Sequence, residues 1–318
     1  TEPSVYRTVV SEFMCQQTQI KTVVPYFERW MKAFPDFKAL ASAPESSVLK
    51  HWEGLGYYRR ARYLQGLARA LVGVTPPRTP DGWSRLPGVG PYTAAAISSI
   101  AFGRAAACVD GNVVRILCRL VGDETPFSSS AAAVKKFSPL ADQLLDDDNP
   151  GIHNQAMMEL GATVCHRKKP LCMVCPVQKL CQSGPAGFAD RLPRIERTST
   201  VKQTVHRVWF ERRGKLLLHR LPDDSRRMAQ LHELPTAEQV AFDPGDAEGV
   251  PKIRRSRSIT RYRITEWIWF PTRANRMKLP KARAPGFHWV STAKLDTITL
   301  SGPHRRWVDD FLKKKPEK

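Results

Sequence analysis

Four of the seven cysteines fall in one stretch, "CHRKKPLCMVCPVQKLC" (165–181), at the spacing C-x6-C-x2-C-x5-C. Gaps of six, two and five residues are long enough to turn and short enough to fold back, so four thiols can wrap one centre. A metal site at Cys165, Cys172, Cys175 and Cys181 therefore constrains this segment more than any hydrophobic pattern does. Only Cys172 and Cys175 form a C-x2-C knuckle, whereas a zinc ribbon ordinarily carries two, and spacing alone leaves zinc and a [4Fe-4S] cluster both open. The odd cysteine total and the lack of a secretory signal argue against a disulfide framework and for a reducing compartment. Cys15, Cys108 and Cys118 lie on distant apolar segments and read as small buried hydrophobes.

The centre must suit a strongly basic chain. Fifty Lys and Arg against thirty Asp and Glu give a net charge of +20, which calls for a polyanionic partner, nucleic acid first. No stretch approaches the roughly 18 consecutive apolar residues of a membrane span, so a soluble protein with no membrane partner is expected. At 318 residues the chain has room for two domains.

Texture divides it accordingly. Up to the cysteine loop, apolar residues recur at helical spacing, as in "VVPYFERWMKAF" and "YTAAAISSIAFG", between breakers such as "TPPRTPDG" and "LPGVG". These predict short helices. "SGPAGFADRLPRIERTSTVKQ" is polar and rich in Gly, Pro and charge, a linker signal. Beyond it, "TVHRVWFERRGKLLLHRL" and "SITRYRITEWIWFP" carry β-branched and aromatic alternation. The expected organisation is a helical domain over 1–186, a linker over 187–203 and an α+β domain over 204–318.

Within the helical part, "LPGVGPYTAAAI" (86–97) sets a Gly-x-Gly turn before a helix start. Backbone N–H groups at Gly88, Val89 and Gly90 can converge there on a phosphate, although a ligand-free helical turn would carry similar glycines. Asp110 stands at the head of a helical "NVVRIL", where its ordinary role is an N-cap. Glu12 is an isolated acid in a helix. The "KIRRSRSITRYR" stretch (252–263) carries six basic residues and suits a nucleic-acid backbone.

These motifs together resemble a known superfamily. The cysteine spacing after "NQAMMELGA", with "LPGVGPYTAAAI" and "VDGNVVRILCRL", resembles the endonuclease III superfamily of helix-hairpin-helix DNA glycosylases. "SEFMCQQTQIKTVVPYFERW" and "HWEGLGYYRRARYL" resemble the adenine DNA glycosylase (MutY) family within it. The likeness is strong over residues 1 to about 190 and weaker beyond, where the chain is similar to a Nudix-like recognition domain without the clustered glutamates of a Nudix hydrolase. It implies an all-α helix-hairpin-helix glycosylase domain with a [4Fe-4S] loop, then an α+β Nudix-like domain.

By this resemblance the chain is a monofunctional base-excision repair enzyme, acting as a monomer on double-stranded DNA with adenine opposite 8-oxoguanine or guanine. The implied location is cytoplasmic, at the nucleoid if bacterial. Glu12 protonates the adenine ring, and Asp110 stabilises the positive sugar, with Asn112 positioning the acid or water. Tyr92 stands where bifunctional relatives carry the lysine that forms a Schiff base, which a phenol cannot do. In the DNA-binding "QQT" of Gln16, Gln17 and Thr18, Gln17 enters the duplex near the damaged pair and Gln16 lines the site; Tyr57 wedges into the stack, and Arg167, Lys168 and Lys169 face phosphate. Glu159 is a weaker candidate to support the acids. In the lesion-touching loop, Ile259, Thr260 and Arg261 replace the usual Phe-Ser/Thr-His, keeping the middle hydroxyl. Family members also carry a leading helix, about 25 residues, before the point matching Thr1. Two alternatives stay open: a pyrimidine-specific endonuclease III-type glycosylase/lyase, and a DNA-binding scaffold whose catalysis has decayed.

Overall fold

The computed structural model describes residues 4–196, 199–225, 228–245, 247–259, 261–271 and 285–313. The chain divides into two compact units, one formed by Thr1–Ser42 with Tyr63–Arg197 and the other by Ala43–Arg62 with Thr198–Lys318. The second break falls inside the expected linker. The first was not expected: a piece of the helical region belongs with the C-terminal body.

Helices run in the order α1 (Val5–Cys15), α2 (Ile20–Ala33), α3 (Phe37–Ser42), α4 (Glu45–Trp52), α5 (Arg59–Leu71), α6 (Pro80–Ser84), α7 (Pro91–Phe102), α8 (Gly111–Leu120), α9 (Ser130–Leu144) and α10 (Pro150–Thr163). Local chemistry sets their ends. Pro91 opens α7 at a position whose N–H is not needed, and Gly103 closes it in the left-handed conformation. Ser129 caps α9 by accepting the Ala132 N–H. In the first unit α8 packs against α9 and α10, and α7 against α1, α6 and α10. One core cluster gathers Val113, Val114 and Leu117 of α8 with Phe137 of α9, and with Phe127 and Leu192 from the flanking segments. Two short strands, β1 (Pro126–Phe127) and β2 (Arg194–Ile195), pair in parallel there.

The second unit contains β3 (Val201–Val208), β4 (Glu211–Arg212), β5 (Lys215–Arg220), β6 (His232–Glu233), β7 (Lys252–Ile259), β8 (Tyr262–Trp269), β9 (Phe287–Ser291) and α11 (Gly302–Lys313). One sheet has the order β3-β8-β7, parallel between β3 and β8 and antiparallel between β8 and β7. The other has the order β4-β5-β6, with β9 also pairing β5. The "LLL" of β5 is buried on both faces, as period-2 geometry demands. Leu216 and Leu218 join Trp307, Val308 and Phe311 of α11 in one core. Leu217 joins Val208, Phe242 and Trp269 in the other.

Beneath α11 the sheet buries an ionic cluster. Arg207 contacts Glu233 at 2.8 Å and Glu266 at 3.1 Å, and Arg257 pairs with the same two acids. His304 of α11 accepts the Leu234 N–H at Nδ1 and directs Nε2 toward both carboxylates. Burial would raise the Glu233 carboxyl, but Arg207 and Arg257 beside it hold it below the usual carboxylate range. Burial and those arginines push His304 down to about 3, although Glu233 opposes them, and it is therefore neutral at physiological pH.

Candidate active site

Glu12 lies in the last turn of α1, next to the fully buried Phe13 and Met14. It is hydrogen-bonded to Tyr92, in the first turn of the adjoining α7. Burial pushes the Glu12 carboxyl up to about 7; the Tyr92 hydrogen bond opposes this, and the charge of Asp110 adds to it. Such a carboxyl can hold a proton near neutral pH and give it up to a base, as a general acid must. Burial and the neighbouring acids raise the Tyr92 phenol as well, so it stays neutral. Its hydroxyl oxygen also lies 2.9 Å from the Met158 sulfur of α10.

Asp110 is the N-cap of α8. Its Oδ1 accepts the N–H groups of Asn112 and Val113, each at 2.8 Å, and its Oδ2 accepts from Asn112 Nδ2 at 3.0 Å. Capping thus fixes the direction of the carboxylate, so the ordinary role and a catalytic one are compatible. Asn112 is held in turn by Arg115, whose Nη2 donates to Asn112 Oδ1 at 2.9 Å and whose Nε donates to the Cys165 carbonyl at 2.7 Å. A contiguous hydrogen-bonded path therefore joins Asp110 to the first cysteine of the loop. Gly161 makes room for it: a Cβ there would lie 2.6 Å from Asn112 Cβ, too close for any side chain. The buried Asn154 fastens the strand-like approach to Asp110, accepting the Cys108 N–H and donating to the Ala106 carbonyl.

Among the other predicted residues, Gln16 donates from Nε2 to Thr93 Oγ1 of α7 at 3.1 Å. Thr18 donates to the Gln16 carbonyl, while Gln17 is exposed with φ 55°. Gly88 has φ 75°, and a Cβ there would strike Tyr63 at 2.4 Å, so both backbone and space demand glycine. Gly90 is exposed at the N-cap of α7. Val89 departs from expectation. Its side chain is buried and its N–H already bonds the Leu86 carbonyl, because the turn tucks the apolar residue between the two glycines inward.

Tyr57 is 54% exposed with φ 48°. Arg167, Lys168 and Lys169 are exposed, as is Glu159, which leaves Glu159 unsuited to support the buried acids. Arg261 is exposed beside the Tyr262 ring, and Thr260 lies outside the described residues. Cys108 and Cys118 are buried as expected, Cys15 only partly.

The basic stretch 252–263 divides by strand alternation. Lys252, Arg254, Ser256 and Ser258 share one face of the sheet with Arg263 and Thr265 of β8 and Lys202 and Thr204 of β3. No Asp or Glu stands on that face of the three strands. Arg257 points the other way into the buried ionic cluster, and Arg255 reaches Asp310 of α11 at 3.8 Å. Arg257 is thus withdrawn from any backbone-binding role.

The four loop cysteines line one cavity with Arg119 and Gly184. Arg119 is 1% exposed and donates from Nη1 to the Cys165 sulfur at 3.2 Å and to the His166 carbonyl at 2.8 Å. The Gly184 N–H points at the Cys181 sulfur at 3.4 Å, and its Cα side faces the sulfurs of Cys181 and Cys172 at van der Waals range. A buried cation, an N–H donor and a side-chain-free wall around four thiols suit a thiolate-bound anionic centre. Among the described residues, no three His, Cys, Asp or Glu side chains are grouped as ligands of a single metal ion.

Residues 10–138 match the HhH-GPD superfamily of base excision DNA repair proteins, which defines the class. The chain is 34% identical to an adenine DNA glycosylase of Mycolicibacterium smegmatis over 219 residues, covering 67% of this chain and 71% of that protein. It belongs to the adenine DNA glycosylase family. It is 50% identical to the human adenine DNA glycosylase over 184 residues, 56% of this chain and 33% of that protein. The rat protein is 50% identical over 202 residues, 62% of this chain and 39% of its own length. The chain thus spans a third to two fifths of the mammalian relatives it matches. An endonuclease III–DNA complex superposes with a TM-score of 0.50 at 23% identity, over 58% of this chain and 86% of that one, and shares the fold.

Proposed function

We propose that this chain is a monofunctional glycosylase that removes adenine mispaired with 8-oxoguanine or guanine from duplex DNA. One observation carries the reading: an acid raised to about 7 is hydrogen-bonded to a tyrosine, beside a second acid held by a helix start. No amine stands at position 92 to attack the sugar. Extrusion of the adenine comes first. Protonated Glu12 gives its proton to a ring nitrogen, and the bond from sugar to base breaks with its electron pair leaving on adenine. The cationic sugar is stabilised by the Asp110 carboxylate. Water then adds to the sugar and its proton returns to Glu12, giving an abasic site and free adenine.

Cys165, Cys172, Cys175 and Cys181 are the residues that hold a [4Fe-4S] cluster in this reading. The loop that presents Arg167, Lys168 and Lys169 to phosphate would be cross-linked at four points by a cluster held there. Arg119 supplies the buried positive charge beside the sulfurs. The β-rich unit serves as the Nudix-like reader of 8-oxoguanine through Ile259, Thr260 and Arg261. The enzyme acts as a monomer in the cytoplasm if bacterial; no described helix is long and apolar enough to cross a membrane.

The open sheet face supplies backbone contacts in the same reading. Replacing Lys202, Arg254 and Arg263 together by alanine should weaken binding to any duplex regardless of sequence. The slope of log affinity against log salt should fall by about 0.9 for each lost phosphate contact. An unchanged slope in titrations across salt concentration would remove this face from the interface.

Borohydride treatment during turnover separates hydrolysis from lyase chemistry. Adenine release with no covalent DNA adduct is expected, whereas a trapped adduct would favour the lyase alternative.

A further inference from the structure

The geometry points to Glu53 as a positioning residue that clamps the Tyr57 loop onto the 298–305 segment leading into α11. This rests on the reading of Tyr57 as the residue that wedges into the DNA stack.

The loop between α4 and α5 is conformationally demanding. Gly54, Gly56 and Tyr57 have φ of 105°, 75° and 48°, so three of four consecutive residues are left-handed. For tyrosine that state costs about 1 kcal/mol or more and persists only when its surroundings impose it. Part of the restraint is local. Trp52 Nε1 donates to the Gly56 carbonyl at 3.0 Å, and the buried Arg60 donates to the same oxygen at 3.3 Å with its guanidinium 5.5 Å from the Tyr57 ring.

The rest comes from 250 residues further along the chain. Glu53 Oε1 accepts the Leu300 N–H at 2.7 Å and Arg305 Nε at 3.0 Å, while Oε2 takes Lys50 Nζ at 2.5 Å. Lys50 also donates to the Ile298 carbonyl at 3.1 Å. Tyr58 Oη donates to the Leu300 carbonyl at 3.2 Å and accepts the Gly54 N–H at 3.3 Å. The Glu53 side chain is only 9% exposed, and truncating it would leave Arg305 Nε and the Leu300 N–H without the acceptor they share.

The consequence is mechanical. The 298–305 segment runs into α11, which packs behind the hairpin of β7 and β8 through Trp307, Val308 and Phe311. Tyr57, Ile259 and Arg261 are thereby carried on one body, the second compact unit. Glu53 is the acidic group that ties the tyrosine's loop to that body, so its loss should uncouple the wedge without touching the acids of the first unit.

The test is a double-mutant cycle on Glu53→Ala and Tyr57→Ala. The readout is affinity for a duplex carrying a non-cleavable 2′-fluoro-deoxyadenosine opposite 8-oxoguanine, with an undamaged duplex as control. Glu53→Ala should weaken binding to the lesion duplex about tenfold, the size expected when a conformation worth about 1.4 kcal/mol is no longer imposed. It should leave the undamaged duplex unchanged and add nothing in the Tyr57→Ala background. Glu53→Gln keeps the acceptor for Leu300 but loses the charge, so it should lose about threefold; it also stands in if the alanine variant does not fold. Multiplicative effects in the cycle, or equal losses on both duplexes, would overturn the clamp and reduce Glu53 to a merely structural role. A Tyr57→Ala effect with no Glu53 effect would overturn the clamp alone. A silent Tyr57→Ala would overturn the wedge reading and the clamp with it.

Discussion

Glu12→Gln should stop adenine excision while leaving duplex binding in place. Loss of the general acid predicts a fall of about 10²- to 10⁴-fold in single-turnover rate, because glutamine presents the same shape but has no proton to transfer. The wild-type rate should be level in mild acid and fall about tenfold per pH unit well above 7, since the acid form is the active one and the folded-state value is about 7. Stability follows the same group with a defined sign. Folding raises Glu12 from 4.5 to about 7, so the fold keeps its full stability below the lower value and loses it as pH rises through the higher one. Full ionisation costs about 3 kcal/mol by that shift. Glu12→Gln therefore melts higher than wild type at pH 8 and about the same at pH 4, which thermal denaturation at the two pH values would check. Equal melting shifts at both would mean that the carboxyl is not strained by burial.

The second large effect separates two roles of one side chain. Asn and Asp are equivalent helix caps, so Asp110→Asn should keep the start of α8 and change the unfolding free energy by less than about 1 kcal/mol. The same change removes the negative charge facing the sugar. Preorganised electrostatic groups of this kind are worth about 10²- to 10³-fold in rate, and a loss of that size is expected in single-turnover excision. Asp110→Ala should show the rate loss plus about 1 kcal/mol of destabilisation from the lost cap. Retained excision in the asparagine variant would assign Asp110 to capping alone.

Much of this site was legible along the chain because its parts are local. The cysteine spacing foretold four thiols around one cavity, and the Asp-Gly-Asn head of "NVVRIL" foretold a cap. Arg115 and Arg119 were missed although they stand four apart on α8, because their partners at 161–167 are remote in sequence and only folding reveals them. Asn154 opens the "NQAMMELGA" motif, yet its service to Cys108 and Ala106 depends on how α10 packs. Val89 was misjudged because a Gly-x-Gly turn advertises its glycines but not the inward turn of the residue between them. The division of the 252–263 arginines was recoverable in principle: a period of two separates Lys252 and Arg254 from Arg255 and Arg257. The fate of residues 43–62 was not. Helical periodicity shows that α4 is a helix, but the body it joins is decided by Glu53, Tyr58 and Arg62 meeting residues near 229 and 300.

The central claim is adenine excision directed by 8-oxoguanine. Single-turnover release of adenine from duplexes with adenine opposite 8-oxoguanine, guanine and cytosine, using iron-loaded protein, tests it most directly. Release should be fastest opposite 8-oxoguanine, slower opposite guanine and slight opposite cytosine. Tight binding to all three duplexes with no adenine released would contradict the claim and favour a DNA-binding scaffold.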